Sequence, residues 1–150
     1  MITFPGAKIN IGLRVIARRQ DGFHDIETVF YPVGLRDALE LVADPCSNGK
    51  DELVVTGINI GSKPGDNLVI KALNRMREDY HIPALKIHLH KKIPAAAGLG
   101  GGSSDAAFFL KAVNKCLGLG IDTETLRQIA LEIGSDCPFF IDPVPSYARG

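Results

Sequence analysis

The stretch Pro94-Ala-Ala-Ala-Gly-Leu-Gly-Gly-Gly-Ser-Ser-Asp-Ala-Ala107 decides how the rest of the chain is read. It lies between a short alternating run, Ile87-His-Leu-His-Lys-Lys-Ile93, and a helical pattern from Ser103 to Leu117. It therefore reads as strand, glycine-rich loop and helix start. Gly98, Gly100, Gly101 and Gly102 permit positive φ and put no side chains over the backbone. The N–H groups of such a loop, with the unpaired ones of the first helical turn, suit a phosphate. A flexible Gly/Ser linker is the competing reading, and the periodic elements on both sides of so short a connection speak against it. Neither common phosphate motif fits. A P-loop closes on Gly-Lys followed by Ser or Thr, whereas Gly102 is followed by Ser103-Ser104. The dinucleotide fingerprint needs glycine where Ser103 stands and a continuous apolar strand before it.

The 150 residues suffice for one domain with a real core, and 45% hydrophobic with 23% charged residues is the balance of a soluble globular protein. Lys+Arg and Asp+Glu are 17 each, so no global field favours nucleic acid or an anionic membrane, and any anion site must be local. Cys46, Cys116 and Cys137 are odd in number and lack a C-x-x-C spacing, which argues against a disulfide framework or a zinc site. A reducing compartment follows, and with no apolar run of membrane-spanning length and no signal-peptide core, the cytoplasm is expected.

In chain order, residues 7–16 alternate, with Ile9, Ile11, Leu13 and Val15 expected to form the buried side of a strand. Lys8 and Asn10 share the opposite face, where a solvated polar surface is the plainest reading. Asp21-Gly22 marks a hairpin turn, followed by a strand over 25–31. Phe23 and His24 stand at its edge, where an aromatic and a histidine can stack on and hydrogen-bond a base; a half-buried ring beside an exposed imidazole is the simpler alternative. Strands over 37–42 and 52–56 follow, each ending in turn-forming residues. Asp66 is expected to cap a helix whose apolar stripe is Val69, Ala72, Leu73, Met76 and Tyr80, with Asn67 in its first turn. His88 and His90 fall on one face of the strand over 84–92, but no third metal ligand is near. After the loop, Ala106, Phe109, Leu110, Val113 and Leu117 make a buried stripe, and Asp122 or Thr123 caps a further helix that Gly134 ends. Asp136, just beyond, reads either as an Asx-turn residue or as a carboxylate at the lip of a pocket.

The pattern Pro-x-x-x-Gly-Leu-Gly-x-x-Ser-Ser over residues 94–104 resembles the ATP-binding motif of the GHMP kinases, small-metabolite kinases that include galactokinase, homoserine kinase and mevalonate kinase. Further stretches follow in the family's order over nearly the whole chain: Pro5-Gly-Ala-Lys-Ile-Asn-Ile-Gly-Leu-Arg-Val15 with Arg19-Gln-Asp-Gly-Phe-His24, Gly65-Asp-Asn-Leu-Val69, and Gly134-Ser-Asp-Cys-Pro-Phe-Phe140. They narrow the resemblance to members that phosphorylate the C2 hydroxyl of a cytidine diphosphate-linked methylerythritol, on the non-mevalonate route to isoprenoid precursors.

The resemblance implies an α+β domain of the ribosomal S5 domain 2-like type, with a left-handed βαβ crossover where the general rule gives a right-handed one. It implies ATP and Mg²⁺ as cofactors; no residue is assigned as a metal ligand, and Ser104 and Asp105 are candidate helpers of the ion. Asp136 would be the catalytic base and touch the substrate, with Lys8 its charged neighbour and Asn10 a substrate-positioning group. Phe23 and His24 would hold the cytosine; the family often carries Tyr at the position of Phe23, which keeps the ring and loses the hydroxyl. Pro94, Ala95, Ala96, Ala97, Gly98, Leu99, Gly100, Gly101, Gly102, Ser103 and Ser104 would wrap the ATP phosphates, with Asn67 and Lys91 near the adenosine. Residues 1–150 would be the N-terminal, ATP-binding domain, a fragment whose partner is the missing C-terminal GHMP domain. The alternatives are another GHMP kinase, or a catalytically silent nucleotide-binding or S5-like RNA-binding module; the neutral charge weighs against RNA.

Overall fold

The computed structural model describes residues 1–18, 24–44, 49–59 and 66–149. The Asp21-Gly22 turn, Phe23, Cys46, the turn over 61–65 and the side chain of His24 lie outside the described residues. The elements in chain order are β1 (Ile2–Thr3), β2 (Gly6–Arg18), β3 (His24–Arg36), β4 (Ala38–Ala43), β5 (Glu52–Gly57), α1 (Leu68–Asp79), β6 (Leu85–Lys91), α2 (Gly101–Leu117), α3 (Thr123–Ile133), α4 (Cys137–Ile141) and β7 (Ser146–Arg149). Two sheets form, a four-stranded one ordered β1-β4-β6-β5 and a three-stranded one ordered β2-β3-β7. The α+β class is thereby realised. All described pairings are antiparallel except β5 with β6, which run parallel and are joined through α1.

The core lies between the four-stranded sheet and the helices. Alternation along β4 and β6 turns Leu39, Leu41, Leu85, Ile87 and Leu89 to one side. There they join one cluster with Val69, Ala72, Leu73 and Met76 of α1 and with Phe109, Leu110 and Val113 of α2. Leu126, Ile129 and Ala130 of α3 complete it. The helical stripes are thus those expected from the 3.6-residue period, apart from Tyr80, the C-cap of α1, and Leu117, the last residue of α2, which are only partly buried.

Three local expectations are corrected. Asn67, not Asp66, caps α1: its Oδ1 accepts the Val69 N–H at 2.9 Å. Helix α2 starts at Gly101 rather than Ser103, so two glycines lie in its first turn. The third concerns β2. Ile9, Ile11, Leu13 and Val15 are exposed, while Lys8 on the other face is 5% exposed. Alternation shows that two strand faces differ; which one is covered depends on what packs against it, and here the Lys8 side meets the glycine loop and α4. Register shifts between Ile11 and Arg14 and between Val15 and Ala17 also break the period.

One ammonium joins three parts of the fold. Lys91, at the end of β6, takes the next inward position after Leu85, Ile87 and Leu89 and is 3% exposed. Its Nζ donates to Asp105 Oδ2 of α2 at 2.6 Å and to Asp37 Oδ2, between β3 and β4. Asp37 Oδ1 accepts the N–H groups of Lys92 and Ile93, and the Asp37 N–H donates to Pro5 O at 2.9 Å. Burial pushes the Asp105 carboxyl up to about 7, against the pull of Lys91 and with Asp37 adding to the rise. Gly57 closes over the same strand end: a Cβ there would lie 2.1 Å from Lys91 O, at φ +85.

Two outcomes follow. Gly57→Ala is expected to cost roughly 2 kcal/mol or more, from the positive φ and the backbone clash together, read as a lower urea midpoint at unchanged slope. For Asp105, the folded state keeps a proton that the unfolded chain releases near its ordinary value of about 4. Its contribution to stability is therefore whole below about pH 4 and is lost as pH rises through about 7. Thermal unfolding from pH 4 to 8 should show Asp105→Asn gaining on the parent chain across that window; a constant difference would contradict it.

Candidate active site

The glycine loop folds into a rimmed cavity of about 320 Å³, walled by residues 94–103, the start of α1 with Asn67, and Lys91, Ile93 and Asp105. Its backbone winds through left-handed conformations at Ala96 (φ 55), Gly98 (φ 70) and Gly100 (φ 69). Ala96 bears a Cβ in that region, where L residues are strained and functional loops often concentrate. Gly100 is required twice over. It takes positive φ as the N-cap of α2, and a Cβ there would lie 2.6 Å from the Phe140 ring and 3.3 Å from Lys8 Cγ. Ser104 N–H already bonds Gly100 O at 2.8 Å, so the N–H groups of Gly101, Gly102 and Ser103 precede the first intrahelical bond. No side chain caps this end, and its first turn holds no acid, so the positive end of the helix dipole faces the cavity unneutralised.

Beside the loop sits a second cluster. The Lys8 N–H donates to Leu99 O at 3.0 Å, which ties β2 to the loop. From there the Lys8 side chain runs over Phe30, with Nζ 4.6 Å from the ring centroid, donates to Asn10 Oδ1 at 2.5 Å, and stands 3.4 Å from Asp136 Oδ2. Asn10 Nδ2 in turn donates to Thr28 Oγ1 at 3.2 Å, which fixes the amide with its oxygen on the lysine. Asp136 is the N-cap of α4, yet its carboxylate makes no capping bond and its side chain is 34% exposed. It is the open member of an otherwise buried pair, able to take a proton from a group in the cleft. Behind it, Phe139 packs edge to face on both Phe30 and Phe140. Burial pushes the adjacent Cys137 thiol up to about 11, so it stays protonated.

The sequence-derived site residues divide accordingly. Pro94, Ala95, Ala96, Ala97, Gly98, Leu99, Gly100, Gly101, Gly102 and Ser103 line the cavity. Asn67 lines it too while capping α1. Lys8, Asn10 and Asp136 gather on the adjoining side, with Lys8 the link between the two groups. Ser104 does not line the cavity: its hydroxyl is fully buried and unpartnered. The Lys91 ammonium is engaged by two carboxylates. The strand histidines are a separate matter: Thr56 Oγ1 lies 2.9 Å from both His88 Nε2 and His90 Nδ1, and the described residues contain no group of three or more potential metal ligands. Thr28, Phe30 and Asp37 went unnoticed in the sequence. A signal for the ion cluster existed, since extending the alternation 85, 87, 89 by one step carries Lys91 inward.

Comparison with known proteins agrees with this geometry. The family described as GHMP kinases N terminal domain matches residues 67–142. The chain is 54% identical over 150 residues to the 4-diphosphocytidyl-2-C-methyl-D-erythritol kinase of Parabacteroides distasonis, covering all of this chain and 54% of that protein. It is 53% identical to the kinase of the same name from Porphyromonas gingivalis, over 99% of this chain and 53% of that protein. A crystal structure of 4-(cytidine 5'-diphospho)-2C-methyl-D-erythritol kinase superposes with a TM-score of 0.81 at 35% identity, covering 100% of this chain and 52% of that one. The chain thus spans about half the length of the curated relatives it matches. The matched residues include α1, the glycine loop, α2 and Asp136, which together frame the cavity and its acid. This chain therefore belongs to the GHMP kinases, by their N-terminal domain.

Proposed function

We propose that the chain is the ATP-binding part of a kinase that transfers the γ-phosphate of ATP to the C2 hydroxyl of 4-diphosphocytidyl-2-C-methyl-D-erythritol. One observation carries the reading: through Lys8, an uncapped helix N-terminus and a partly exposed carboxylate adjoin across a single side chain. That is the pairing phosphoryl transfer needs, a cradle for the phosphates and a base for the attacking hydroxyl. The high identity to relatives of that name supports the choice of substrate.

In this reading the triphosphate lies along residues 94–103, with its charge facing the N–H groups of Gly101, Gly102 and Ser103. Asn67 and the strand end at Lys91 border the nucleoside side. Asp136 accepts the proton of the C2 hydroxyl. Lys8, 3.4 Å from Asp136, stabilises the developing alkoxide. Asn10 orients Lys8 and meets the substrate, and Phe23 and His24, next to the start of β3 in the sequence, take the cytosine. Mg²⁺, when bound, neutralises phosphate charge. The described residues contain no group of three or more potential metal ligands, and phosphate oxygens and water would supply most of its coordination. The working compartment is the cytoplasm, where small phosphorylated metabolites are made; no helix among the described residues is long and apolar enough to cross a membrane.

Titration of the labelled chain with a non-hydrolysable ATP analogue and Mg²⁺ should shift and saturate the amide signals of Gly98 to Ser104. A dispersed spectrum in which they stay still would refute the phosphate assignment. In a protein of the relatives' full length that begins with this chain, Asp136→Asn should lower turnover by roughly 10²–10⁴-fold, the usual worth of a general base, with nucleotide affinity nearly unchanged. Near-normal turnover would remove Asp136 from the role.

A further inference from the structure

The glycine loop leaves β6 at Lys91 and enters α2 at Gly101, and its two ends are tied by one ion pair. Lys91 precedes the loop and Asp105 follows it, and their Nζ and Oδ2 stand 2.6 Å apart. Asp37 holds the same ammonium from a third element and, through its other oxygen, the N–H groups of Lys92 and Ile93, where the loop departs. The Lys91 ammonium lies directly beneath the first residue of α2: a Cβ on Gly101 would be 3.4 Å from Nζ. All three side chains are nearly inaccessible, and Asp105 also borders the cavity with its Oδ1 unpartnered.

Resting on the reading of this loop as a phosphate site, we propose that Asp105 and Asp37 are positioning residues: acting through Lys91, they clamp the two ends of the glycine loop and hold the phosphate site open before nucleotide arrives. The argument is one of direction. An apolar trio would fill the same volume without the desolvation cost that buried charges carry. Hydrogen bonds from one ammonium to two carboxylates fix separation and angle, which van der Waals contact does not. A loop of glycines loses much backbone entropy when it closes on a ligand, and a scaffold that removes this entropy beforehand raises affinity. The cluster also holds one more carboxylate than it needs for neutrality. Replacing Asp105 leaves a balanced Lys91–Asp37 pair, so the clamp can be opened without leaving an unpaired ion in the core.

The test compares the chain with Asp105→Leu, which cannot accept from Lys91, and Asp105→Asn, whose amide oxygen can. Hydrogen exchange is read at the Lys8 and Ser104 amides, whose acceptors are the loop carbonyls of Leu99 and Gly100. Leu126 of α3, bonded to Asp122 O, is the control. Asp105→Leu should speed exchange at Lys8 and Ser104 by roughly tenfold or more, the worth of one charged hydrogen bond, and weaken the ATP analogue by a similar factor. Leu126 should not change, and Asp105→Asn should stay near the parent chain on both readouts. The clamp is overturned if Asp105→Leu exchanges as slowly as the parent, if Leu126 accelerates in step, or if Asp105→Asn moves as far as Asp105→Leu. Failure of the parent chain to bind the analogue, with the two amides still freed in Asp105→Leu, would remove the nucleotide reading and leave the clamp standing. Binding by the parent and equally tight binding by Asp105→Leu would do the reverse.

Discussion

A buried ammonium between two buried carboxylates is the constraint on which the rest of this domain leans. Lys91 stands where the inward alternation of β6 calls for another apolar residue, and the fold accepts a charge there because Asp37 and Asp105 converge on it. The convergence settles three placements at once. The junction of β3 and β4 is held against the end of β6, the first turns of α2 are drawn over that strand, and the loop between them is left with fixed ends. A core of leucines permits sliding by a fraction of a side chain; a fork of hydrogen bonds does not. The helix N-terminus, whose unpaired N–H groups are the chemical asset of the cavity, owes its position to this arrangement.

The loop and the acid–lysine pair share components, so the geometry of the site and the fold are hard to separate. Gly100 takes positive φ for the turn, ends the approach of Phe140 and gives room to the Lys8 stem. Phe140 belongs to the short helix that Asp136 opens. Lys8 offers its backbone to the loop and its ammonium to the acid. The cavity side and the Asp136 side are therefore built from the same elements, β2, the loop, α2 and α4.

Much of this was legible in the sequence. The 3.6-residue stripes of α1, α2 and α3 were, because a large apolar core rewards them directly. So was the loop, because its glycines sit between two periodic elements. The covered face of β2 was not: Ile9, Ile11, Leu13 and Val15 make the more hydrophobic side, yet the side that packs inward is set by Lys8, which the loop and α4 surround. Neither was the cap of α1 decidable, since Asp66 and Asn67 are both good caps and only the reach of one oxygen to the Val69 N–H separates them. The ion cluster was hidden for a physical reason. Its members are far apart in the chain, and a charged residue in an alternating pattern reads by default as a solvent position until its partners are in place.

Strand β7 carries a consequence for how the chain comes into being. It pairs with β3, placing Tyr147 opposite Val29 and Arg149 opposite Glu27, so segments far apart in the sequence become neighbours. During synthesis β2 and β3 leave the ribosome early and can zip together, but the second edge of β3 stays open until residues 146–149 emerge. Throughout that interval the nascent chain offers an unpaired strand edge beside the apolar face of Ile9 and Ile11, a template for wrong partners. The three-stranded sheet therefore closes only once residues 146–149 have emerged.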